Sequence, residues 1–436
     1  MNPNGRPESG VRASYRAVLR GIGLVLLVVW AVWWGGSLRR GWMERSKITW
    51  VPALAFVSGD FAVSLDHLAR VRAEGGDPYT CCWIGKAFPY PPTVPAFFAW
   101  VTFTSPRVAS VLWTVGLAGL VSVGAWASWT SRRRLGLLDI PLPMVIAAAL
   151  FSAPVLFAVE RCQCDLIALP WLIAGSWLLR SGTRRSEVLA GAAFVMAAWV
   201  KYYPGLVIVA LLAGRRWRAV AGFVAVGLAV GLADVQGVRG SLENIRSGFL
   251  HHSIDTPQQM VAHVHSLSLY WRALWSDTPF AALGRLPGSA GAAALLLPLA
   301  GWVALRVTRS QKGTDLAYPL TLWLVSLGTF LPKVAADYNL VFLPLAILAT
   351  WDRRERPAVH LGMLLAFLAL QPFRFDASAR FLFLCKLAGL VAVGLSLVLK
   401  AAEPAEIPGA NQSAYAGPTF LRRRPAVGVD AHESTG

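Results

Sequence analysis

Long apolar runs recur from near residue 20 to near residue 400, many of them close to the roughly 20 residues that a helix needs to cross a hydrocarbon core. Short clusters of basic residues separate them. In lipid each backbone N–H and C=O must find a partner inside the segment, so runs of this kind fold as helices. With 56% of its 436 residues hydrophobic and only 15% charged, the chain offers more apolar surface than one soluble core can bury, and lipid must cover the rest. These features predict an all-α polytopic membrane protein. The 19 Trp suit belts at the headgroup boundary, core packing or a sugar-stacking platform.

A net charge of +18 would suggest nucleic acid for a soluble chain. Here the basic residues stand between apolar runs, which is the positive-inside arrangement, and no nucleic-acid partner is expected. Arg6, Arg12, Arg16 and Arg20 precede the first run, and Arg132-Arg133-Arg134, Arg184-Arg185, Arg215-Arg216-Arg218, Arg306-Arg309-Lys312 and Arg353-Arg354-Arg356 mark later cytoplasmic turns. The intervening connections carry fewer cations: Arg161, Lys201, Lys333, Arg374 and Arg380. Both termini are therefore expected in the cytoplasm, with the plasma (inner) membrane as the site of residence. The first run ends in Trp30, Trp33 and Trp34 with no small-x-small site after it, so it reads as an uncleaved anchor rather than a signal peptide.

Counted this way, spans fall near 20–38, 107–129, 139–159, 164–180, 187–200, 203–213, 218–235, 288–307, 315–332, 338–351, 357–372 and 380–400, a bundle of about 12 transmembrane helices. The transmembrane domain is expected over 19–400, after a short cytoplasmic tail at 1–18 and before a disordered cytoplasmic tail at 401–436, which is rich in Pro, Gly and Ala. The spans at 187–200 and 203–213 are too short to cross upright. They meet at Lys201-Tyr202-Tyr203-Pro204-Gly205, where Pro and Gly stop a helix, so this break is expected to face a polar interior. Two polar connections, about 39–106 and 236–287, fall on the outer side by alternation, and chemistry is expected there.

The first of them holds Val57-Ser58-Gly59-Asp60-Phe61, Asp66-His67, Gly75-Gly76-Asp77-Pro78-Tyr79 and Phe88-Pro89-Tyr90-Pro91-Pro92. Asp60 follows an apolar run directly, where partial desolvation keeps a carboxylate basic enough to take a proton. The simpler role is an N-cap for a helix over Phe61 to Arg72. One carboxylate can do both.

Taken in order, an Asp soon after the first span, an amphipathic outer segment, Gly-Gly-Asp-Pro-Tyr, Phe-Pro-Tyr-Pro-Pro, and Lys-Tyr-Tyr-Pro-Gly followed by Arg-Arg-Trp resemble glycosyltransferase family 87 over roughly residues 18–400. The resemblance implies a GT-C fold with outer-face amphipathic segments. It also implies transfer of a sugar, mannose in the family, from a polyprenyl-phosphate donor to a lipid or glycan acceptor with inversion. It implies Asp60 as catalytic base, with Asp77 and Tyr90 of the shared motifs as substrate-binding residues. No cofactor is expected. A phosphodiester leaving group departs as an anion and needs positive charge and hydrogen-bond donors rather than an acid.

Candidates for that task follow. Glu160-Arg161-Cys162-Gln163-Cys164-Asp165 stands where the family usually shows Gly-Gln-x-Asn; Gln163 matches, and Cys164-Asp165 replaces the ending. Gln163 is a candidate for a sugar hydroxyl or phosphate, and Arg161 for phosphate or for pairing with Glu160. Lys201 ends a run whose only other charge is Glu187, and a cation at such depth is a functional candidate, with snorkelling to the interface as the alternative. Tyr202 and Tyr203 are candidate walls for a polyprenyl chain or sugar. In the second outer connection His265 and Arg272 are candidate donor or acceptor contacts, where the family shows a short polar motif before an Arg. His251, His252, His263 and His265 lack the spacing and paired carboxylates of a metal site, and none is expected. The family's His near the ninth or tenth span is absent; Asp337 stands there, within reach of Lys333. Cys81, Cys82, Cys162 and Cys164 fall on the outer side, where a long-range disulfide, free thiols and a metal site all remain open.

The competing class is a lipid or solute carrier or flippase, whose intramembrane charges line a path. Carriers are often built from repeated halves, and no internal repeat of fixed period is visible here.

Overall fold

The computed structural model describes residues 9–44, 66–80, 90–137, 139–161, 163–247, 267, 271, 279, 288–332, 337–352, 355–370 and 379–403. Its contacts divide the chain into two units, Met1–Ala402 and Glu403–Gly436; the tail expected to be disordered lies almost wholly outside the described residues. Within the first unit the described elements are all helices, with no strand among the described residues.

Helices occur in every interval where the sequence predicts a span, but several are interrupted. The N-terminal helix α1 (Ser9–Glu44) runs well beyond the predicted 20–38 at both ends, since no Pro separates the apolar run from its arginine-bearing flanks. In the first outer connection the short helices α2 (Asp66–Ala73) and α3 (Thr93–Phe97) precede a 3-10 stretch over Phe98–Phe103. The helix imagined from Phe61 is described only from Asp66 onward. The next long helix, α4 (Pro106–Arg134), starts on a Ser105 cap, whose side chain accepts from Val108 N, with Pro106 in the first turn.

The predicted single span 139–159 is two helices, α5 (Leu142–Leu150) and α6 (Ala153–Arg161). Pro154 has no N–H for the Leu150 carbonyl and its ring crowds that turn, so the helix stops there. The same device acts at Pro344, four residues after Leu340. A 3-10 turn over Asp337–Val341 precedes α14 (Phe342–Thr350). Further 3-10 turns at Asp165–Ile167 and Tyr203–Val207 lead into α7 (Ala168–Ser181) and α9 (Ile208–Ala213). Between them lies α8 (Arg184–Ala198), capped by Thr183.

After α9 comes α10 (Trp217–Ala233), and at Asp234 the chain turns by 95° into α11 (Val235–Ser247). This helix occupies the start of what the sequence suggests is an outer connection. The remaining helices are α12 (Gly288–Thr308), α13 (Ala317–Gly328), α15 (Pro357–Ala369) and α16 (Ala379–Ala402). Four of the described helices, α1, α4, α12 and α16, are long and apolar enough to cross a membrane unbroken, and the bent α10–α11 pair makes a fifth if taken as one span.

The core is built around α13 and α14. Tyr318 to Gly328 are all buried, as is every residue from Phe342 to Thr350, the pattern of helices apolar on all sides. Helices α4, α7, α12 and α16 and the Tyr203–Val207 turn pack around this pair, while α8 covers α7 and α10 covers α8. The α8–α10 approach depends on glycine: a Cβ at Gly191 would run into the Ala219 carbonyl, and one at Gly222 into that of Val188. Small residues at such crossings let backbones meet where lipid gives helices no hydrophobic reason to associate. At the edge, α1 packs on α5 and leaves most of its apolar surface exposed, as a lipid-facing helix would.

The basic clusters gather at one end of the bundle. Arg16 pairs with Asp139 at 3.2 Å, Arg180 with Asp315 at 3.1 Å, Arg216 with Glu187 at 2.6 Å, and Lys400 with Glu355. Arg132, only 1% exposed, donates to the carbonyls of Leu348 and Trp351 at 2.8 and 2.6 Å. It satisfies carbonyls that the end of α14 leaves without an intrahelical partner. The break at Lys201 and the segment joining α6 to α7 lie at the other end of the same helices.

Candidate active site

At that opposite end, short helices and turns from distant parts of the chain bring polar side chains into the interior. Gly75-Gly76-Asp77-Pro78-Tyr79 forms the exit from α2. Gly75, with φ of +80°, holds the left-handed position after the helix, while its N–H donates to Arg72 O and that of Gly76 donates to Val71 O. Asp77 Oδ1 accepts from Tyr79 N at 2.9 Å, an Asx turn that aims Tyr79 inward. The Tyr79 hydroxyl donates to Tyr90 O at 3.1 Å, and Asn244 of α11 donates to Tyr79 O at 3.2 Å. Burial, reinforced by nearby Tyr202 and Asp234, pushes the Tyr79 phenol well above its ordinary pKa, so it remains a donor. Arg72 ties the same corner together, donating to Pro92 O at 2.9 Å and pairing with Asp234 at the α10–α11 bend at 3.2 Å.

Tyr90 is where this scaffold meets the polar centre. Its hydroxyl donates to Gln163 Oε1 at 3.0 Å, and the Lys201 ammonium stands over its ring, 4.3 Å from the centroid. Lys201 also faces Asp165 Oδ2 at 3.3 Å, an ion contact longer than a well-formed hydrogen bond. The other oxygen of Asp165 accepts from Asn339 Nδ2 at 2.7 Å and from the Tyr203 hydroxyl. Asp165 is fully buried and Gln163 and Asn339 nearly so, whereas the Lys201 side chain is 15% exposed and forms the open edge of the group. Thr93 fixes the approach by donating to Trp199 O at the end of α8.

The structure thus joins Tyr90, Gln163 and Lys201, which the sequence proposes as separate contacts. It adds Asp165, which the sequence marks only as a departure from the family pattern, and Asn339, two residues after Asp337. The missed signal was electrostatic: a cation carried to that depth needs a counter-ion. With Asp165 beside it, Lys201 is a held cation whose charge is balanced within the protein, and a donor substrate would meet an ion pair rather than a bare ammonium. Tyr202 lies apart from the group, 38% exposed, with its hydroxyl 2.9 Å from Ser241 Oγ on α11. Asp77 is exposed and serves the turn that places Tyr79.

Asp60, His265 and Arg272 lie outside the described residues, as do Cys81, Cys82, Cys162 and Lys333; Arg161 ends α6, and its side chain and that of Asp337 are likewise outside them. Cys164 is buried. Among the described residues no three of His, Cys, Asp and Glu come together to hold a metal ion, and the four His of the second outer connection are not among those residues.

No curated protein matches the chain, and no solved structure does. The sequence model of glycosyltransferase family 87 matches residues 88–277, a stretch that contains Tyr90, Gln163, Asp165, Lys201, Tyr202 and Tyr203. The match, over a stretch that supplies all of the polar centre except Asn339, supports glycosyltransferase family 87 for this chain.

Proposed function

We propose that this glycosyltransferase moves a sugar, mannose, from a polyprenyl-phosphate donor to a hydroxyl of a lipid or glycan acceptor, with inversion, at the outer face of the plasma membrane. The observation that carries the reading is the coincidence of the family 87 match with a buried group of hydrogen-bonding side chains around Lys201, at the end of the bundle away from the basic clusters. Helices in each of the twelve predicted intervals support a GT-C-like bundle in which shorter, broken helices also cross, with both termini in the cytoplasm.

In this reading Asp60 removes the proton from the acceptor hydroxyl as it attacks the anomeric carbon on the face opposite the phosphate. Lys201, with Gln163 and Tyr90 beside it, stabilises the charge that grows on the departing phosphodiester. Asp165, Tyr203 and Asn339 hold the ammonium in place, so its position is set before the donor arrives. Arg161, His265 and Arg272 supply further contacts to donor or acceptor, and Tyr202 with Ser241 lines the approach for the polyprenyl chain.

The test is transfer of radiolabelled mannose from synthetic polyprenyl-phosphate-mannose to a membrane lipid extract by purified parent protein and Asp60→Asn. Parent-only incorporation is the expected result. Because general-base contributions run to about 10²–10⁴-fold, a variant within about tenfold of the parent would remove Asp60 from the role. Incorporation by neither protein would reject mannose as the donor sugar.

A further inference from the structure

The run Arg132-Arg133-Arg134 at the basic end of the bundle is divided by the fold. Arg132 turns inward onto the end of α14, while Arg133 and Arg134 stay exposed in the last turn of α4 and line a surface cleft of about 290 Å³ with Trp129 and Thr130. The cleft is held in shape. Trp129 donates its indole N–H to Ile140 O at 2.9 Å, which fixes the ring, and the Arg133 guanidinium lies over that ring 4.8 Å from its centroid.

The charges around the cleft leave an excess of positive sign. The carboxylates near it are already engaged, Asp139 by Arg16 and Asp315 by Arg180, and among the described residues neither Arg133 nor Arg134 forms an ion pair. A cation in the last turn of a helix is favoured by the helix dipole, which accounts for one arginine at the surface. Asp315, paired with Arg180, is the carboxylate that acts on Arg134, and the dipole does not account for two guanidinium groups with no ion pair of their own among the described residues, one stacked on a pinned indole, around a shared cleft. The cleft also lies at the end of the candidate membrane span Val108–Arg134, the level at which lipid headgroups sit.

The geometry points to a binding site for a phosphate-bearing anion, the headgroup of an acidic phospholipid or a free phosphate, held by Arg133 and Arg134 with Thr130 as a further hydrogen-bond donor and Trp129 against the lipid backbone. Guanidinium groups match phosphate oxygens with paired N–H donors. The site lies at the other end of the bundle from the polar centre, so it is independent of the proposed transfer reaction.

The experiment is native mass spectrometry of the full chain released from micelles containing phosphatidylglycerol or phosphatidylcholine, with the parent, Arg133→Gln/Arg134→Gln and the control Arg184→Gln/Arg185→Gln, an exposed pair at the same end. The parent should retain phosphatidylglycerol in preference to phosphatidylcholine. At about fivefold per arginine near a membrane surface, the Arg133/Arg134 variant should lose about thirtyfold in apparent affinity while the control keeps the parental value. Arg134→Gln alone, expected to lose about fivefold, serves if the double variant does not fold. Added inorganic phosphate separates the two sources: displacement of the lipid at millimolar concentration assigns the site to phosphate itself, and persistence of the lipid assigns it to the headgroup. Parental phosphatidylglycerol retention by the Arg133/Arg134 variant, or an equal loss in the control, would overturn the proposal.

Discussion

Replacing Asp165 with Asn keeps the size of the side chain and an oxygen that can accept from Tyr203 and Asn339, but removes the charge opposite Lys201. At the observed 3.3 Å and an effective dielectric of about 20, the direct attraction between the two charges is about 5 kcal/mol. Desolvation of both groups offsets much of this, so the pair as a whole adds little to stability. Removing one partner is different, because it strands the other charge: breaking a buried pair costs about 3–5 kcal/mol. Asp165→Asn should fall near the low end, since Lys201 is 15% exposed and has some access to water, and Lys201→Met near the high end, since Asp165 has none. The double variant should be more stable than either single one, so single costs of about 3 and about 5 kcal/mol imply a coupling of about 5 kcal/mol or more. The assay is reversible unfolding in mixed micelles by added sodium dodecyl sulfate, followed by tryptophan fluorescence and helical circular dichroism. Single-variant costs that add to within about 0.5 kcal/mol in the double variant would show that the two groups do not act as a pair, and the account of the polar centre would fail.

Two further stability tests concern the bundle. Arg132→Met should destabilise by about 2–4 kcal/mol in the same unfolding assay, because it leaves the buried carbonyl of Leu348 and the part-buried carbonyl of Trp351 without their charged donor. Gly191→Val should separate α8 from α10 and cost about 1–3 kcal/mol or more, whereas Gly119→Val on α4, where a Cβ meets nothing within 4 Å, should cost under about 1 kcal/mol.

The sequence located helices well because lipid enforces one rule on every apolar run, and the twelve intervals inferred from hydropathy and basic clusters all contain helix. It located their breaks less well. The interruption at Lys201 was legible because Lys, Tyr, Pro and Gly coincide there. The one between α5 and α6 was not, because Pro154 sits inside an otherwise unbroken apolar run and hydropathy alone does not register a missing N–H. The turn at Asp234 was invisible for a similar reason: α10 and α11 are each good helices, and only their packing, with Arg72 on Asp234 and Tyr79 against α11, turns one across the other.

The candidate site residues divide in the same way. Motif order was enough to point to family 87, and the depth expected from the apolar run was enough to single out Lys201, because both are properties of residues along the chain. The partner of Lys201 was not legible. Asp165, Tyr203 and Asn339 are far apart in sequence, and each has an ordinary local explanation as a turn residue, a wall or a helix neighbour. Their convergence on one carboxylate depends on how α6, α13 and α14 pack around the turns at Asp165, Tyr203 and Asp337. The sequence determined that this chain is helical, lipid-embedded and glycosyltransferase-like, because hydropathy, charge placement and short motifs act locally. The tertiary structure alone decided that Lys201 is held as half of a largely buried ion pair, because electrostatic compensation in a low dielectric is settled by distance in space.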